Sequence, residues 1–149
     1  MLKELSSNII LTPHPGEMAN LLNISIQEVE SNRLKIAEHF ATSYNVFLVL
    51  KGHRTIMATP NGALYINPIG NDSLSKGGSG DVLTGFIASF LAQGASPSAA
   101  MIAGGYLHAK AGECLGKKYT SYSVTPMDLI QNVKYEIAEF SENNYINIM

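Results

Sequence analysis

The sequence predicts an α/β layered domain, and three observations carry that reading. Val46-Phe-Leu-Val-Leu50 is a continuous apolar run between polar flanks, the pattern of a strand buried on both faces, as in a parallel sheet. Leu83, Phe86, Ile87, Phe90 and Leu91 fall at i, i+3, i+4, i+7 and i+8, the stripe of an amphipathic helix. The segments run strand, helix, strand, hairpin, and then three helices.

Taken in order, Asn8–Thr12 forms a short buried strand that stops at Pro13. Pro15 and Gly16 keep the next turn irregular, and Glu17–Leu22 forms a short helix. Ser25 and Glu28 make a capping-box pattern. Ile26, Val29, Ile36 and Phe40 then recur near helical spacing, which predicts one helix to about Thr42. After Val46–Leu50, Thr55–Ala58 and Leu64–Ile66 are two shorter strands, with Pro60-Asn61-Gly62 between them as a hairpin signal.

Residues 67–80 have no periodicity and much Gly, Asn and Ser, so they form a loop. A helix starts near Val82, and Gly94 is placed to end it. Ser96-Pro97 supplies the cap and first-turn proline of the next helix. Ala100, Ala103, Leu107 and Ala111 line one face of it, small enough to pack close to a neighbour. Thr125-Pro126 repeats that start, with Ile130, Val133, Ile137 and Phe140 as the apolar stripe. The last nine residues form a frayed tail. Only Asn8–Thr12 and Val46–Leu50 have the pattern of parallel strands. That is a thin sheet for four to five helices, a sign that strands are missing.

At 149 residues the chain is the size of one domain, and 46% apolar content supports a core. Charged residues are only 15%, below the average of about 25%, so much of the surface is neutral or covered. Ten Lys and Arg against twelve Asp and Glu give a net charge of −2, which argues against a nucleic-acid footprint. No stretch approaches the roughly 18 consecutive apolar residues of a membrane span. Met-Leu-Lys-Glu-Leu lacks a signal-peptide core. Cys114 is the only cysteine, so there is no internal disulfide and no cysteine metal cluster, and a reducing cytoplasm fits. No metal-ligating residues are expected.

Seven of the 13 glycines lie between Gly52 and Gly85. The strongest local signal is Gly77-Gly-Ser-Gly-Asp81, directly before a helix. A helix N-terminus offers unpaired N–H groups and partial positive charge, so this turn suits a phosphate or a transferring phosphoryl group. Asp81 would accept a proton or orient a hydroxyl. The same residues also fit a plain glycine loop with Asp81 as an ordinary helix-start acid. A Walker loop is excluded because Lys76 is followed by Gly77, and a dinucleotide fingerprint would need glycine at Leu83.

Lys51-Gly52 ends the buried strand, where open α/β sheets take ligands. Lys51 either pairs with phosphate or snorkels to close the strand. Two prolines fix the backbone around His14, so His14 and Glu17 suit substrate positioning, while His14 alone also fits a structural hydrogen-bonder. Asn67–Asp72 holds turn formers that would also contact a nucleotide or a water-bound Mg²⁺. The seven tyrosines are scattered and make no stacking platform, and His108 has a structural place on a buried helix face.

Leu11-Thr-Pro-His-Pro-Gly-Glu17, Val49-Leu-Lys-Gly52, Tyr65-Ile-Asn-Pro-Ile-Gly-Asn71, Gly77-Gly-Ser-Gly-Asp-Val-Leu-Thr-Gly85, Leu91-Ala-Gln-Gly-Ala-Ser-Pro97 and Tyr106-Leu-His-Ala109 occur in order over residues 8–113. Together they resemble the ADP/ATP-dependent NAD(P)H-hydrate dehydratases, a branch of the ribokinase-like superfamily. The resemblance implies a three-layer αβα fold with a mainly parallel sheet. Residues 1–149 match only its C-terminal half, and no epimerase domain is evident. It implies ADP-dependent removal of water from hydrated NADH and NADPH, with AMP and phosphate released. ADP, or ATP in its place, and Mg²⁺ are the implied cofactors.

By the same resemblance Asp81 is the base on the substrate hydroxyl, with the N–H groups of residues 78 to 80 as the anion hole, Gly78 and Gly80 foremost. Lys51, Gly52, His53, Arg54, Thr55, Asn71, Lys76, Gly77, Gly78, Ser79 and Gly80 would lie at the nucleotide. His14, Pro15, Gly16 and Glu17, in the segment to Asn20, would contact the hydrated dinucleotide, as would Asp81. Two stretches depart from the family pattern: His53-Arg54-Thr55, usually Ala-Gly-Thr, and Ser73-Leu74-Ser75-Lys76, usually Gly-Met-Ala-Thr. The implied partners are small nucleotides and the missing N-terminal half or a second copy, with no nucleic acid and no membrane. A hydroxyethylthiazole or sugar kinase of the same fold, and a non-catalytic half-domain that binds nucleotide or a partner chain, are the alternatives.

Overall fold

The computed structural model describes residues 9–142. Asn8 of the expected first strand, and residues 143–149 of the expected tail, lie outside the described residues. The chain divides into two compact units, Met1–Pro68 and Ile69–Met149.

The first unit is a four-stranded sheet with three helices. Its elements are β1 (Ile10–Leu11), α1 (Pro15–Leu22), α2 (Ile26–Ser31), α3 (Arg33–Tyr44), β2 (Phe47–Leu50), β3 (Ile56–Ala58) and β4 (Leu64–Ile66). The strand order is β1-β2-β3-β4. β1 runs parallel to β2, with Ile10 opposite Phe47 and Leu11 opposite Leu48. The other two pairings are antiparallel, so the mainly parallel sheet implied by the resemblance is represented here by a single parallel pairing. Val46, Leu48, Val49 and Leu50 are fully buried, as the apolar run required. Met18, Val29, Phe40 and Ala41 from the helices pack with Leu48 and Leu50. Buried Thr59 closes the β3–β4 hairpin, its Oγ1 bonding Asn61 and accepting from Ala63 N.

The single helix expected from Ser25 to Thr42 is two helices. Asn32 sits between them with φ −130° and ψ 25°. Ser31 Oγ donates to Gln27 O and Asn32 Nδ2 donates to Glu28 O, so short polar side chains compete with the backbone ladder and break it.

The second unit holds a 3₁₀ turn at Asp72–Leu74 and three helices: α4 (Ser79–Ala92), α5 (Pro97–Lys118) and α6 (Pro126–Glu142). The expected caps form. Ser96 Oγ accepts from Ala99 N, and Thr125 and Asp128 cap each other reciprocally at the start of α6. Helix α4 begins at Ser79 rather than near Val82, because Gly78 takes a left-handed φ of 89° and turns the chain into the helix three residues early.

Of the stripe expected on α6, Val133 is half-buried and Ile130 and Ile137 do not face inward, while the Phe140 side chain lies outside the described ones. Leu129 and Glu136 are buried, while Ile130 is 48% and Ile137 40% exposed. Leu129 completes a cluster with Val82, Ala111, Leu115 and Val124, which sets the rotation of the helix. No helix among the described residues is long and apolar enough to cross a membrane.

Candidate functional site

In the first unit the chain leaves β1 through Thr12-Pro13 and enters α1 at Pro15. His14 is the N-cap, in extended backbone at φ −85° and ψ 169°. Its Nδ1 accepts from Glu17 N at 3.1 Å, and Glu17 Oε2 accepts from His14 N at 2.6 Å. This is a capping box with histidine where serine or threonine usually stands, and Pro15 fills the first helical position. The parallel pairing carries past the strand ends, where Lys51 N donates to Pro13 O. That register brings Lys51 Nζ to 3.5 Å from Glu17 Oε2, while His14 Nε2 lies 3.5 Å from Glu17 Oε1. The His14 backbone N–H holds the Glu17 carboxyl below the usual range; burial opposes it, and the Lys51 charge adds a smaller lowering.

His14, Glu17 and Lys51 are therefore one polar cluster, on a corner that also carries Gly16. Beside it Leu11, Thr12, Pro13, Glu17, Asn20 and Leu21 line a shallow cavity of about 480 Å³. That volume falls in the roughly 300–1,000 Å³ range of ligand pockets.

Gly52, His53, Arg54 and Thr55 follow Lys51 in a turn drawn onto Arg33. The guanidinium donates to His53 O at 2.6 Å, Leu50 O at 3.2 Å and Lys51 O at 3.3 Å. A Cβ on Gly52, whose φ is 144°, would come 2.7 Å from Arg33 Nη2. Thr55 Oγ1 donates back to Gly52 O. His53 and Arg54 are exposed. Arg33 was not singled out from the sequence, since an arginine opening a helix seventeen to twenty residues upstream carries no local signal for this loop.

In the second unit Asn71 caps the 3₁₀ turn, its Oδ1 accepting from Ser73 N at 3.0 Å. Gly70 N donates to Glu113 Oε1 of α5. Lys76 Nζ donates to Tyr122 O at 3.0 Å, and Gly78 lies against Pro126. At the start of α4, Ser79 N donates to Lys76 O, and Asp81 N and Val82 N both donate to Gly78 O. Among the described residues the N–H groups of Gly78 and Gly80 carry no hydrogen bond. Asp81, the third residue of the helix, is exposed beside them. Ser79 is buried and its Oγ lies 3.0 Å from His108 Nε2. Burial holds the His108 imidazole neutral, with its pKa lowered to about 4.

Two free N–H groups at a helix N-terminus, with an exposed carboxylate beside them and a lysine nearby, have the chemistry that suits an anion. The chain that carries them is similar to a ribokinase-like superfamily protein from Enterococcus faecalis, at a TM-score of 0.74 and 34% identity over 88% of this chain and 44% of that one. The crystal structure of ADP/ATP-dependent NAD(P)H-hydrate dehydratase from Bacillus subtilis, co-crystallised with ATP and Mg²⁺, aligns at a TM-score of 0.85 and 33% identity. That alignment covers 88% of this chain and 47% of that one. The fold is ribokinase-like.

In sequence, the bifunctional NAD(P)H-hydrate repair enzyme of Moorella thermoacetica is 41% identical over 134 residues, which is 90% of this chain and 25% of the relative. Residues 2–134 match the family described as NAD(P)H-hydrate dehydratase, and the chain belongs to that family. It spans a quarter to about half of the length of these three proteins.

Proposed function

We propose that this chain supplies the phosphate-handling part of an ADP-dependent dehydratase that returns hydrated NADH and NADPH to NADH and NADPH. The observation that carries the reading is the start of α4, where the Gly78 and Gly80 N–H groups are unspent and Asp81 stands exposed beside them. Asp81 takes the proton of the substrate hydroxyl as its oxygen attacks the β-phosphoryl group of ADP, and AMP leaves. The Gly78 and Gly80 N–H groups bear the negative charge that develops on the transferring group. Phosphate then leaves with the C–O bonding pair, and the adjacent ring carbon gives up a proton, restoring the double bond.

In the second unit Asn71 to Gly80 hold the nucleotide phosphates, with Lys76 supplying positive charge; in the first unit Lys51 and Arg54, in the stretch Lys51 to Thr55, offer positive charge of their own to phosphate. Ser79 serves from behind, since its N–H and hydroxyl are both engaged within the protein. His14, Pro15, Gly16 and Glu17 position the hydrated dinucleotide beside the cavity at Asn20 and Leu21. Among the described residues no group of three or more His, Cys, Asp or Glu is placed to hold a metal ion. Mg²⁺ fits here as a companion of the phosphates, since it keeps several waters and binds through phosphate oxygens with few protein ligands. The chain spans less than half of each relative named above, and the setting is the cytoplasm.

Incubation with ADP and hydrated NADH, with and without the N-terminal half of a full-length relative, tests the reading. Loss of hydrate with equal release of NADH and phosphate is expected. A phosphorylated sugar or thiazole alcohol in place of that product marks a kinase, and ADP binding without turnover in either mixture marks a non-catalytic half-domain.

A further inference from the structure

We infer that His108 is a positioning residue that holds the anion-handling turn in place through Ser79. The inference rests on the function proposed above for that turn, and it begins with a spacing on α5. Gly104, His108, Gly112 and Gly116 recur every four residues, so they share one face of the helix.

Each glycine in that row receives a neighbour at a distance no side chain would allow. A Cβ on Gly104 would stand 2.8 Å from Ile87 Cγ1 of α4. One on Gly112 would stand 2.6 Å from Leu74 Cδ2, and one on Gly116 2.5 Å from Asn71 Nδ2 and 2.7 Å from Ser73 Oγ. The row is thus a trough in which α4 and the 3₁₀ turn are seated against the α5 backbone. His108 is the one side chain that rises from it, and its Nε2 meets Ser79 Oγ at 3.0 Å.

Both partners are buried, His108 at 7% and Ser79 at 1% exposure. The Phe86 ring stands edge-on to the imidazole, with centroids 6.3 Å apart. Neither group has bulk water to fall back on, so losing one partner leaves the other a buried, unsatisfied polar group. Ser79 is the first residue of α4, flanked by Gly78 and Gly80. Glycine backbone has no stiffness of its own, so the direction of those two N–H groups depends on what fixes Ser79. Lys76 bonded to Tyr122 O, and Pro126 against Gly78, brace the turn from another side, while His108 braces it through Ser79.

The test is a double-mutant cycle on the full chain with His108→Leu, Ser79→Ala and the pair, plus His108→Gln as the variant that keeps a hydrogen-bonding group. Ser79→Ala removes one oxygen only and keeps the cycle informative should His108→Leu fold poorly. Amide hydrogen exchange in the ligand-free chain is the first readout. Amides 79, 81 and 82, the hydrogen-bonded ones of the turn, should exchange about tenfold faster in each single variant and no faster in the pair. His108→Gln should recover part of the protection, and α6 should be unchanged.

ADP affinity by calorimetry is the second readout, expected about tenfold weaker in each single variant without further loss in the pair. Unchanged exchange at amides 79, 81 and 82, additive effects, or protection lost evenly along α5 and α6 would overturn the inference. Absence of ADP binding by the unmodified chain would instead remove the nucleotide role of the turn, and the exchange data would still decide the role of His108.

Discussion

Replacing Gly104 by alanine separates close helix packing from ordinary helix propensity. The added Cβ would lie 2.8 Å from Ile87 Cγ1, 3.0 Å from Ile87 N and 3.2 Å from Ile87 Cα. Two of those atoms are backbone, so a rotamer change in Ile87 does not relieve the clash and α4 must shift away from α5. Overpacking of this kind costs about 1–3 kcal/mol, against about 1 kcal/mol gained because alanine is the better helix former. The net runs from near zero to a loss of about 2 kcal/mol.

Gly85, on α4 itself, supplies the control. It is exposed and has nothing within 4 Å of its Cβ position, so Gly85→Ala keeps only the propensity gain. Urea denaturation of the two variants, compared at equal m-values, should place the Gly85→Ala midpoint above the parent and leave Gly104→Ala about 1–3 kcal/mol less stable than Gly85→Ala. If Gly104→Ala matched Gly85→Ala in stability, the close approach of α4 to α5 would be wrong.

Acid should weaken the fold partly through His108. Its pKa falls from 6.5 to about 4 on folding, so the unfolded chain gains a proton first as pH drops. Stability is lost between pH 6.5 and 4, at up to about 1.4 kcal/mol per pH unit and about 3 kcal/mol in all. His108→Gln should flatten the stability–pH curve in that window, and an unchanged slope would refute the buried neutral imidazole. Asp81→Asn should lower dehydratase turnover by about 10²–10⁴ while ADP affinity stays within a few-fold, and equal loss of ADP binding would make Asp81 structural. Arg33→Lys should cost about 1–3 kcal/mol and speed amide exchange at residues 50–54, since a lysine lacks the fork that reaches three carbonyls. Unaltered exchange there would show that Arg33 does not hold the turn.

Local patterns were legible where local forces decide. The run Val46–Leu50 reports burial directly, and Ser25, Ser96 and Thr125 each announce a helix within three residues. His14 and Glu17 were visible as a constrained pair, but the approach of Lys51 depends on the parallel register of β1 and β2. The break at Asn32 was hidden because Ile26 to Phe40 keep helical spacing across it, while two small polar side chains undo the ladder.

The α6 stripe was misread because Ile130 and Ile137 have the right spacing for a core face, yet Leu129 has the better place in the cluster with Val124. The α5 row was in plain view as Gly104, His108, Gly112 and Gly116. Its meaning lay in what those glycines receive, which are residues 71–74 and 87 from other elements. Arg33 acts on carbonyls, and carbonyls have no signature in sequence.

Titration of the amide-labelled chain with ADP and Mg²⁺, followed residue by residue by NMR, tests the central claim most directly. The Gly78 and Gly80 amides, free in the structure, should show the largest shifts, with adenosine leaving them unmoved because it carries no phosphate. Saturable ADP binding that shifts other residues and leaves residues 77–81 at their starting positions would contradict it.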